Sequence, residues 1–356
     1  MIGHEFSGEI LEVGNKWKDK FQPGMKFSIQ PALNYKGSLD APGYSFRYIG
    51  GDATHILIPN EVMEMDCLLP FSGEGFFPAS LSEPMSCIVG AFHASYHTQP
   101  GSYRHEMDIK EGGSMAILAG VGPMGLGAID YALHRERKPK LLVVTDIDQD
   151  RLDRAACLYP REEAEKQGIR LEYINTGKME NPEDELIKLT GSDGYDDVFV
   201  FAPVRQVIEQ GDKILGRDGC LNFFAGPTNT DFKAEFNFYN VHYASTHIVG
   251  TSGGNTGDMR ESLEMMSKRK INPAAMITHI GGLDAVAETT QNLPNIPGGK
   301  KLIYTHISMP LVAINELEEK GKENPLFASL HEIVKNNDYI WSLEAEKYLL
   351  ENAPKI

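Results

Sequence analysis

Hydrophobic and polar residues follow three different patterns along the chain. The N-terminal part is rich in glycine and proline and carries short alternating apolar stretches, a pattern typical of strands joined by turns. From about Ser114 onward, continuous apolar runs alternate with amphipathic segments, which is typical of a parallel sheet with crossover helices. After Lys270, prolines interrupt the pattern until a short apolar run at residues 302–306 predicts one more strand.

These patterns predict a definite order of elements. In the N-terminal part we expect strands at residues 6–13, 26–30 and 54–58. The central apolar runs predict strands at residues 115–119, 141–146, 171–175, 197–202, 220–224 and 246–250. The amphipathic segments predict helices at residues 124–134, 149–158, 182–189, 204–214 and 256–266. That alternation predicts a doubly wound α/β fold, followed by charged helices at residues 314–322 and 343–351.

Composition and charge narrow the class of protein. With 356 residues, 41% of them apolar and 24% charged, the chain has the composition of a soluble globular protein of two domains. It contains no long apolar run and no basic leader, so we expect a cytoplasmic protein without a membrane span. The 34 basic and 50 acidic residues give a net charge of −16, which disfavours nucleic acid as a partner. The four cysteines are scattered singly, and we expect buried free thiols.

A glycine-rich turn follows the apolar run at residues 115–119. The turn reads Gly120-Val121-Gly122-Pro123-Met124-Gly125. Gly120 permits a tight turn, Gly122 lets the backbone approach a diphosphate, and Gly125 allows close packing of helix on strand. Free N–H groups at the start of the following helix favour an anion. We therefore expect a dinucleotide to bind at Gly120, Gly122, Pro123, Met124 and Gly125.

A carboxylate at the end of the next predicted strand indicates which dinucleotide binds. Asp146 lies about twenty residues beyond the turn, where such folds hold the ribose hydroxyls of the cofactor. Since a carboxylate repels a 2′-phosphate, we expect NAD(H) in preference to NADP(H); the alternative role of Asp146 is a helix N-cap. Arg151 either lies near the adenine or a phosphate, or is a solvated helix residue. The ends of the later strands are expected to contact the nicotinamide, unless they are ordinary loop residues: Ala202, Ala225, Gly250, Thr251 and Ser252.

The N-terminal residues carry a further motif. The run Gly3-His4-Glu5-Phe6-Ser7-Gly8, followed by Gly14, resembles the signature of the zinc-containing medium-chain alcohol and polyol dehydrogenases. In that family the histidine binds the catalytic zinc and the glutamate lies beside or on the metal. The run Ser82-Glu83-Pro84-Met85-Ser86 resembles a further acidic element of the polyol dehydrogenases. The resemblance extends to about His306 and implies a zinc site at His4, Glu5 and Glu83.

The resemblance also implies an architecture and a chemistry. It implies a mainly β, GroES-like catalytic domain at residues 1–85 and 271–356, with a C-terminal helical extension, and a Rossmann domain at residues 86–270. Zinc bound by imidazole and carboxylates with one open position is a Lewis acid that lowers the pKa of a bound alcohol, so that hydride can pass to the nicotinamide. The implied cofactors are therefore a catalytic zinc and NAD(H), and the implied activity is that of an alcohol or polyol dehydrogenase.

Two departures from the family's pattern concern the metal. The family's histidine is normally preceded by a cysteine ligand, but no cysteine precedes His4, and Cys67, Cys87, Cys157 and Cys220 do not stand at the matching position. Either the sequence begins at an internal methionine of a longer protein, which we favour, or it is a natural variant with an impaired site; we expect weak zinc binding and low activity. The loop at residues 30–46 contains no cysteine, so the family's structural zinc is not expected.

Other segments resemble a branch of the family that reduces ketose phosphates such as L-sorbose 1-phosphate. These segments are residues 27–33, 48–54, 224–227 and 238–243. The implied substrate is a polyol, a ketose or a sugar phosphate, and the implied assembly is a homodimer or homotetramer. Arg47 and Lys36 are basic residues near the metal-binding motif that could bind a phosphate, although a surface role fits each of them better.

Two alternatives stay open. One is a zinc-independent quinone reductase of the same fold, but that branch generally lacks residues equivalent to His4, Glu5 and Glu83. The other is a catalytically impaired dinucleotide-binding protein with a structural or regulatory role, which the missing cysteine ligand would explain.

Overall fold

The structure is a computed structural model that describes all 356 residues. Its strands are β1 (Ser7–Glu9), β2 (Lys26–Ile29), β3 (Leu68–Phe71), β4 (Tyr96–Thr98), β5 (His105–Met107), β6 (Ser114–Leu118), β7 (Leu141–Asp146), β8 (Arg170–Asn175), β9 (Tyr195–Val200), β10 (Leu215–Phe223), β11 (His247–Gly250), β12 (Ile277–Gly282), β13 (Lys300–Tyr304) and β14 (Val312–Ala313).

Its α-helices are α1 (Asn60–Glu64), α2 (Phe77–Ser80), α3 (Ser82–Ala94), α4 (Pro123–His134), α5 (Gln149–Leu158), α6 (Arg161–Lys166), α7 (Pro182–Leu189), α8 (Arg205–Ile214), α9 (Phe238–Tyr243), α10 (Thr256–Ser267), α11 (Val286–Asn292), α12 (Leu317–Gly321), α13 (Pro325–Lys335) and α14 (Leu343–Asn352). Short 3-10 helices lie at Asn15–Trp17, Tyr35–Gly37, Thr176–Lys178, Pro273–Met276, Leu283–Ala285, Leu293–Asn295 and Ile314–Glu316. No helix is both long enough and apolar enough to cross a membrane.

The chain divides into two compact units. The first contains Met1–Ser86 and Asn255–Ile356, and the second contains Cys87–Gly254. The first boundary, after Ser86, lies beside the predicted boundary after residue 85. The second boundary, after Gly254, comes before the predicted one after residue 270. The helix α10 accounts for this difference, because it contacts β3 and α2 of the first unit.

A six-stranded sheet forms the centre of the second unit. Its strand order is β11-β10-β9-β6-β7-β8, and every neighbouring pair is parallel. All five residues of β6 are buried, which explains its uninterrupted apolar run, because a parallel sheet covered by helices is buried on both faces. The predicted doubly wound α/β fold is confirmed, and α5 and α7 have the predicted bounds.

The first unit contains two three-stranded sheets. The order β1-β2-β3 is antiparallel throughout, while β12 pairs in parallel with β13 and antiparallel with β14. The prediction of a strand at residues 54–58 is wrong, because that segment has no regular secondary structure. Buried and exposed residues alternate there because Ile56 and Ile58 pack on the core, while Leu57 between them is exposed. The sequence analysis also missed β3, α3 and α13.

The C-terminal helices α12, α13 and α14 share one hydrophobic core with the second small sheet of this unit. A buried carboxylate, Glu346, completes this core: it accepts hydrogen bonds from the backbone N–H groups of Phe76 (2.8 Å) and Phe77 (2.9 Å) and from the Tyr304 hydroxyl (3.0 Å). The Trp341 indole N–H in turn donates to the Tyr304 oxygen at 2.8 Å. Burial raises the pKa of Glu346, and the hydrogen bonds that it accepts oppose this rise.

A buried histidine joins three strands of the second unit. The His97 Nε2 atom lies 3.2 Å from Asp197 Oδ1, and its Nδ1 atom lies 3.1 Å from the carbonyl oxygen of Asp218. Burial alone lowers the pKa of His97, but the hydrogen bond and charge of Asp197, with the contacts to Asp218, outweigh it and raise that pKa. These contacts tie β4 to β9 and β10, so they give His97 a structural role.

Candidate active site

Three potential metal ligands meet in the first unit. His4 and Glu5 come directly before β1, and Glu83 lies in the first turn of α3. One ligand atom from each of the three side chains lies within 4.8 Å of the other two, and all three residues are half-buried. Imidazole nitrogen and carboxylate oxygen are common zinc ligands, so the donor set fits a zinc ion. The structure thus brings together the three residues that the resemblance implies.

A chain of buried hydroxyl groups connects the segments that carry these ligands. The Ser82 hydroxyl donates to the carbonyl oxygen of Ala79 at 2.6 Å, and its oxygen lies 3.0 Å from Ser28 Oγ. The Ser28 hydroxyl donates to the carbonyl oxygen of Phe6 at 2.9 Å. Ser28 and Ser82 are completely buried. Since Phe6 follows Glu5 and Ser82 precedes Glu83, these contacts connect the two segments that carry the ligand set.

His4 has an environment that favours its neutral form. Its ring stacks on Tyr44 with 4.3 Å between ring centroids, and the Tyr44 hydroxyl lies 2.8 Å from His4 Nε2. Burial lowers the pKa of His4, with a smaller lowering from Lys300, while Glu5 acts in the opposite direction. Because a metal binds the neutral imidazole, this shift favours coordination.

Lys300 was missed by the sequence analysis. Its ammonium donates to Glu5 Oε1 at 2.5 Å, and the same carboxylate oxygen lies 3.9 Å from His4 Nε2. Lys300 begins β13 and is separated from Glu5 by 295 positions, so no local pattern could have linked the two. The ammonium of Lys300 thus lies next to the ligand set.

A large cavity of about 1470 Å³ opens beside the ligand set, and all its lining residues belong to the first unit. His4, Glu5 and Lys300 line it, together with His55 and His306, whose rings meet edge to face at 5.6 Å. Arg47 and Lys36, the phosphate candidates proposed from the sequence, are exposed and do not line this cavity. The preference for a surface role at these two positions agrees with the structure.

The glycine-rich turn lies between β6 and α4 in the second unit. A Cβ atom at Gly125 would lie 2.1 Å from the carbonyl oxygen of Gly120, so this position requires glycine for the close approach of helix and turn. A Cβ atom at Gly122 would meet nothing within 4 Å, which leaves this side of the turn open for a ligand. Gly122 is the N-cap of α4, and Pro123 and Met124 form its half-buried first turn. The geometry fits a diphosphate bound at the helix N-terminus.

Asp146 ends β7, at the same edge of the sheet as the glycine turn. Its Oδ1 atom accepts hydrogen bonds from the backbone N–H groups of Ile147 (2.8 Å) and Asp148 (3.1 Å). The N-cap alternative for Asp146 is wrong, because Asp148 caps α5 by accepting from the Arg151 N–H. The Arg151 side chain is exposed, with its Nε atom 4.0 Å from Asp148.

The remaining cofactor candidates follow the carboxyl ends of the sheet strands. Ala202 and Ala225 follow β9 and β10, and the Ala225 N–H donates to the carbonyl oxygen of Val200 at 3.1 Å. Gly250 ends β11, with Thr251 and Ser252 directly after it. The buried hydroxyl oxygen of Thr251 has no hydrogen-bond partner in the protein.

The second unit has a parallel sheet with a glycine-rich turn, and the first unit has a set of imidazole and carboxylate groups that fits a metal ion. Together these features indicate a metal-dependent oxidoreductase that uses a dinucleotide. Comparison with known proteins agrees with this class. The family model for "Zinc-binding dehydrogenase" matches residues 123–268. The chain is 55% identical over 351 residues to the mannitol-1-phosphate 5-dehydrogenase of Aliivibrio fischeri, a match that covers 99% of this chain and 83% of that relative.

A second relative extends the match to the whole chain. The L-sorbose 1-phosphate reductase of Klebsiella pneumoniae is 50% identical over 356 residues, covering 100% of this chain and 83% of that relative. Among solved structures, the galactitol-1-phosphate dehydrogenase of Escherichia coli is similar in fold, with a TM-score of 0.64 at 19% identity over 85% of this chain and 84% of that one. The chain belongs to the zinc-binding dehydrogenase family and is an NAD(P)-dependent dehydrogenase.

Proposed function

We propose that this protein transfers a hydride between NAD(H) and a polyol or ketose at a catalytic zinc, and that its substrate is a sugar phosphate such as L-sorbose 1-phosphate. The observation that carries the proposal is the meeting of His4, Glu5 and Glu83 within 4.8 Å beside a cavity of about 1470 Å³. The two relatives described above are named for sugar phosphates, which supports this substrate class.

In this proposal His4, Glu5 and Glu83 hold the zinc ion. When bound, zinc supplies Lewis-acid polarisation of the substrate oxygen. His4 contributes a neutral imidazole, because burial lowers its pKa, and Tyr44 fixes the plane of the ring by stacking on it. The Lys300 ammonium orients the Glu5 carboxylate through their hydrogen bond. The hydroxyl chain described above keeps the backbone around both glutamates in place.

The cofactor in this proposal is NAD(H). The open face of Gly122 and the free N–H groups at the start of α4 accommodate the diphosphate. The Asp146 carboxylate would accept hydrogen bonds from the ribose hydroxyls and repel a 2′-phosphate. Thr251, directly after the carboxyl end of β11, is proposed to lie beside the nicotinamide end of the cofactor.

We also propose assembly into a homodimer or homotetramer. The surface of the second unit carries exposed apolar side chains on α9 and on the edge strand β11: Phe238, Tyr239, Val241, Tyr243 and Ile248. An edge strand beside an apolar patch is suited to pairing with a second copy. Sedimentation analysis of the protein at micromolar concentration tests this assembly.

Zinc content and turnover, measured on the same preparation, test the catalytic proposal. The purified protein is loaded with zinc, dialysed and analysed for metal, and NADH oxidation is followed with a ketose phosphate. We expect weakly bound zinc and low turnover, as the missing cysteine ligand implies, and we expect both to be lost in His4→Ala and Glu83→Gln. The control is Glu9→Gln, which removes one carboxylate from the same cavity lining outside the ligand set.

The other outcomes identify the alternatives. Turnover of a quinone or enone without metal would favour a zinc-independent reductase. Binding of NADH with neither zinc nor turnover would favour a catalytically impaired dinucleotide-binding protein. Equal zinc content in His4→Ala and the unmodified protein would contradict the ligand assignment.

A further inference from the structure

The cavity beside the ligand set is poor in positive charge. Two lysines, Lys300 and Lys301, and no arginine line it. The Lys301 ammonium is committed to the backbone, since it donates to the carbonyl oxygens of Ile296 (3.2 Å), Pro297 (3.2 Å) and Gly299 (2.7 Å). An ammonium has three N–H donors, so these contacts use all of them. Lys300 is therefore the lysine in this lining that can donate to a ligand.

Lys300 has donors to spare and lies at the ligand set itself. One of its three N–H groups reaches Glu5 Oε1 at 2.5 Å, and its side chain is 26% exposed. The other charged groups of the cavity lining are carboxylates, namely Glu9, Glu12 and Asp52 in addition to Glu5. A ligand anion is thus repelled by most of the cavity and attracted at one point, directly beside the metal ligands.

We propose that Lys300 binds the phosphate of the substrate and thereby selects sugars whose phosphate lies on the carbon next to the reacting carbonyl. This inference rests on the proposed function, because it places the reacting oxygen at His4, Glu5 and Glu83. In a ketose 1-phosphate the phosphate is on the carbon adjacent to the carbonyl, within reach of an ammonium that touches Glu5. In a ketose 6-phosphate the phosphate is four carbons away from the carbonyl, so it would lie away from Lys300 and toward the carboxylates of the cavity. Lys300 is therefore a specificity-determining residue.

Two isomeric probes separate these cases. D-Fructose 1-phosphate and D-fructose 6-phosphate differ only in the position of the phosphate, and D-fructose lacks it. Their binding to zinc-loaded protein without NADH is measured by calorimetry, so the readout does not depend on turnover. We expect the 1-phosphate to bind more tightly than the other two. Lys300→Gln should weaken binding of the 1-phosphate about ten- to hundredfold more than it weakens binding of D-fructose, the range for a lost charge-assisted hydrogen bond; the D-fructose measurement reports any effect that passes through Glu5 instead of the phosphate. Lys300→Arg should restore part of the affinity.

Lys301→Gln is the matched control, because it removes the same charge one residue further along β13. Equal weakening by Lys300→Gln and Lys301→Gln would mean that only the overall charge matters and would overturn the proposal. So would equal affinity for the two fructose phosphates, or a Lys300→Gln variant that loses NADH affinity but keeps ketose phosphate affinity. These outcomes can be distinguished from a failure of the proposed function, which would appear as an unmodified enzyme that turns over no ketose or polyol with NAD(H).

Discussion

Removal of the Glu346 carboxylate should destabilise the first unit. In Glu346→Ala the N–H groups of Phe76 and Phe77 and the Tyr304 hydroxyl lose their acceptor in a buried site. Each unsatisfied buried group costs about 1–3 kcal/mol, and the loss is reduced because the variant no longer buries a carboxylate. We expect the free energy of unfolding to fall by about 2–5 kcal/mol. Glu346→Gln keeps the shape and one acceptor oxygen but turns an amide N–H toward a backbone donor, so about 1–3 kcal/mol should be lost.

Urea unfolding followed by tryptophan fluorescence measures this loss. Both tryptophans of the chain, Trp17 and Trp341, belong to the first unit, so the signal reports on that unit. The control is Glu344→Gln on the same helix, where the side chain is exposed and a change within about 0.5 kcal/mol is expected. A Glu346→Ala variant as stable as the Glu344→Gln control would refute the reasoning.

Three further predictions concern the second unit. The pKa of His97 in the folded protein is raised above 6.5, so the stabilisation from its pairing with Asp197 is fully present below that pH and is lost as pH rises through the folded pKa. His97→Gln should therefore lower the free energy of unfolding by urea more at about pH 6 than at about pH 9. A loss that does not depend on pH would contradict this prediction. Gly122→Ala should weaken NADH binding about tenfold or more without lowering the melting temperature. Gly125→Ala places a Cβ atom 2.1 Å from a carbonyl oxygen and should lower both the NADH affinity and the melting temperature. Titration with NADH and thermal melting distinguish the two variants, and an unaffected Gly125→Ala protein would be inconsistent with the close approach. Asp146→Ser should shift the ratio of NADPH to NADH affinity about tenfold toward NADPH in a fluorescence titration. If the unmodified protein binds NADPH more tightly than NADH, the role of Asp146 is misassigned.

The two units differ in how far the sequence predicted them. In the second unit the central strands β6 and β7 are buried almost throughout, so they appear in the sequence as uninterrupted apolar runs and their positions follow directly. In the first unit the strands are short and half-buried, and the segment at residues 54–58 imitates a strand because its alternate residues face a core without a pairing partner. Tertiary contact, not local propensity, decides the structure there.

The candidate site was likewise predictable from the sequence only in part. The glycine turn and Asp146 are consecutive parts of one strand–helix–strand unit, so their spacing alone predicts their proximity. His4, Glu5 and Glu83 were grouped through resemblance to a family, since nothing local joins the two segments. Lys300 has no motif around it, and its partner Glu5 lies 295 positions away. Contacts of that kind are set by the fold of the whole unit.

The arrangement of the first unit from two separate stretches of chain has a consequence for synthesis on the ribosome. Glu346 emerges 269 residues after Phe77, its hydrogen-bond partner, which at cellular translation rates is a delay on the order of tens of seconds. During that time the complete sequence of the second unit has been made and can fold, while residues 1–86, which include Phe77 and the proposed metal ligands, still lack residues 255–356 of their unit. The nascent chain therefore passes through a stage in which the unit with the glycine-rich turn is complete in sequence and the unit with His4, Glu5 and Glu83 is not.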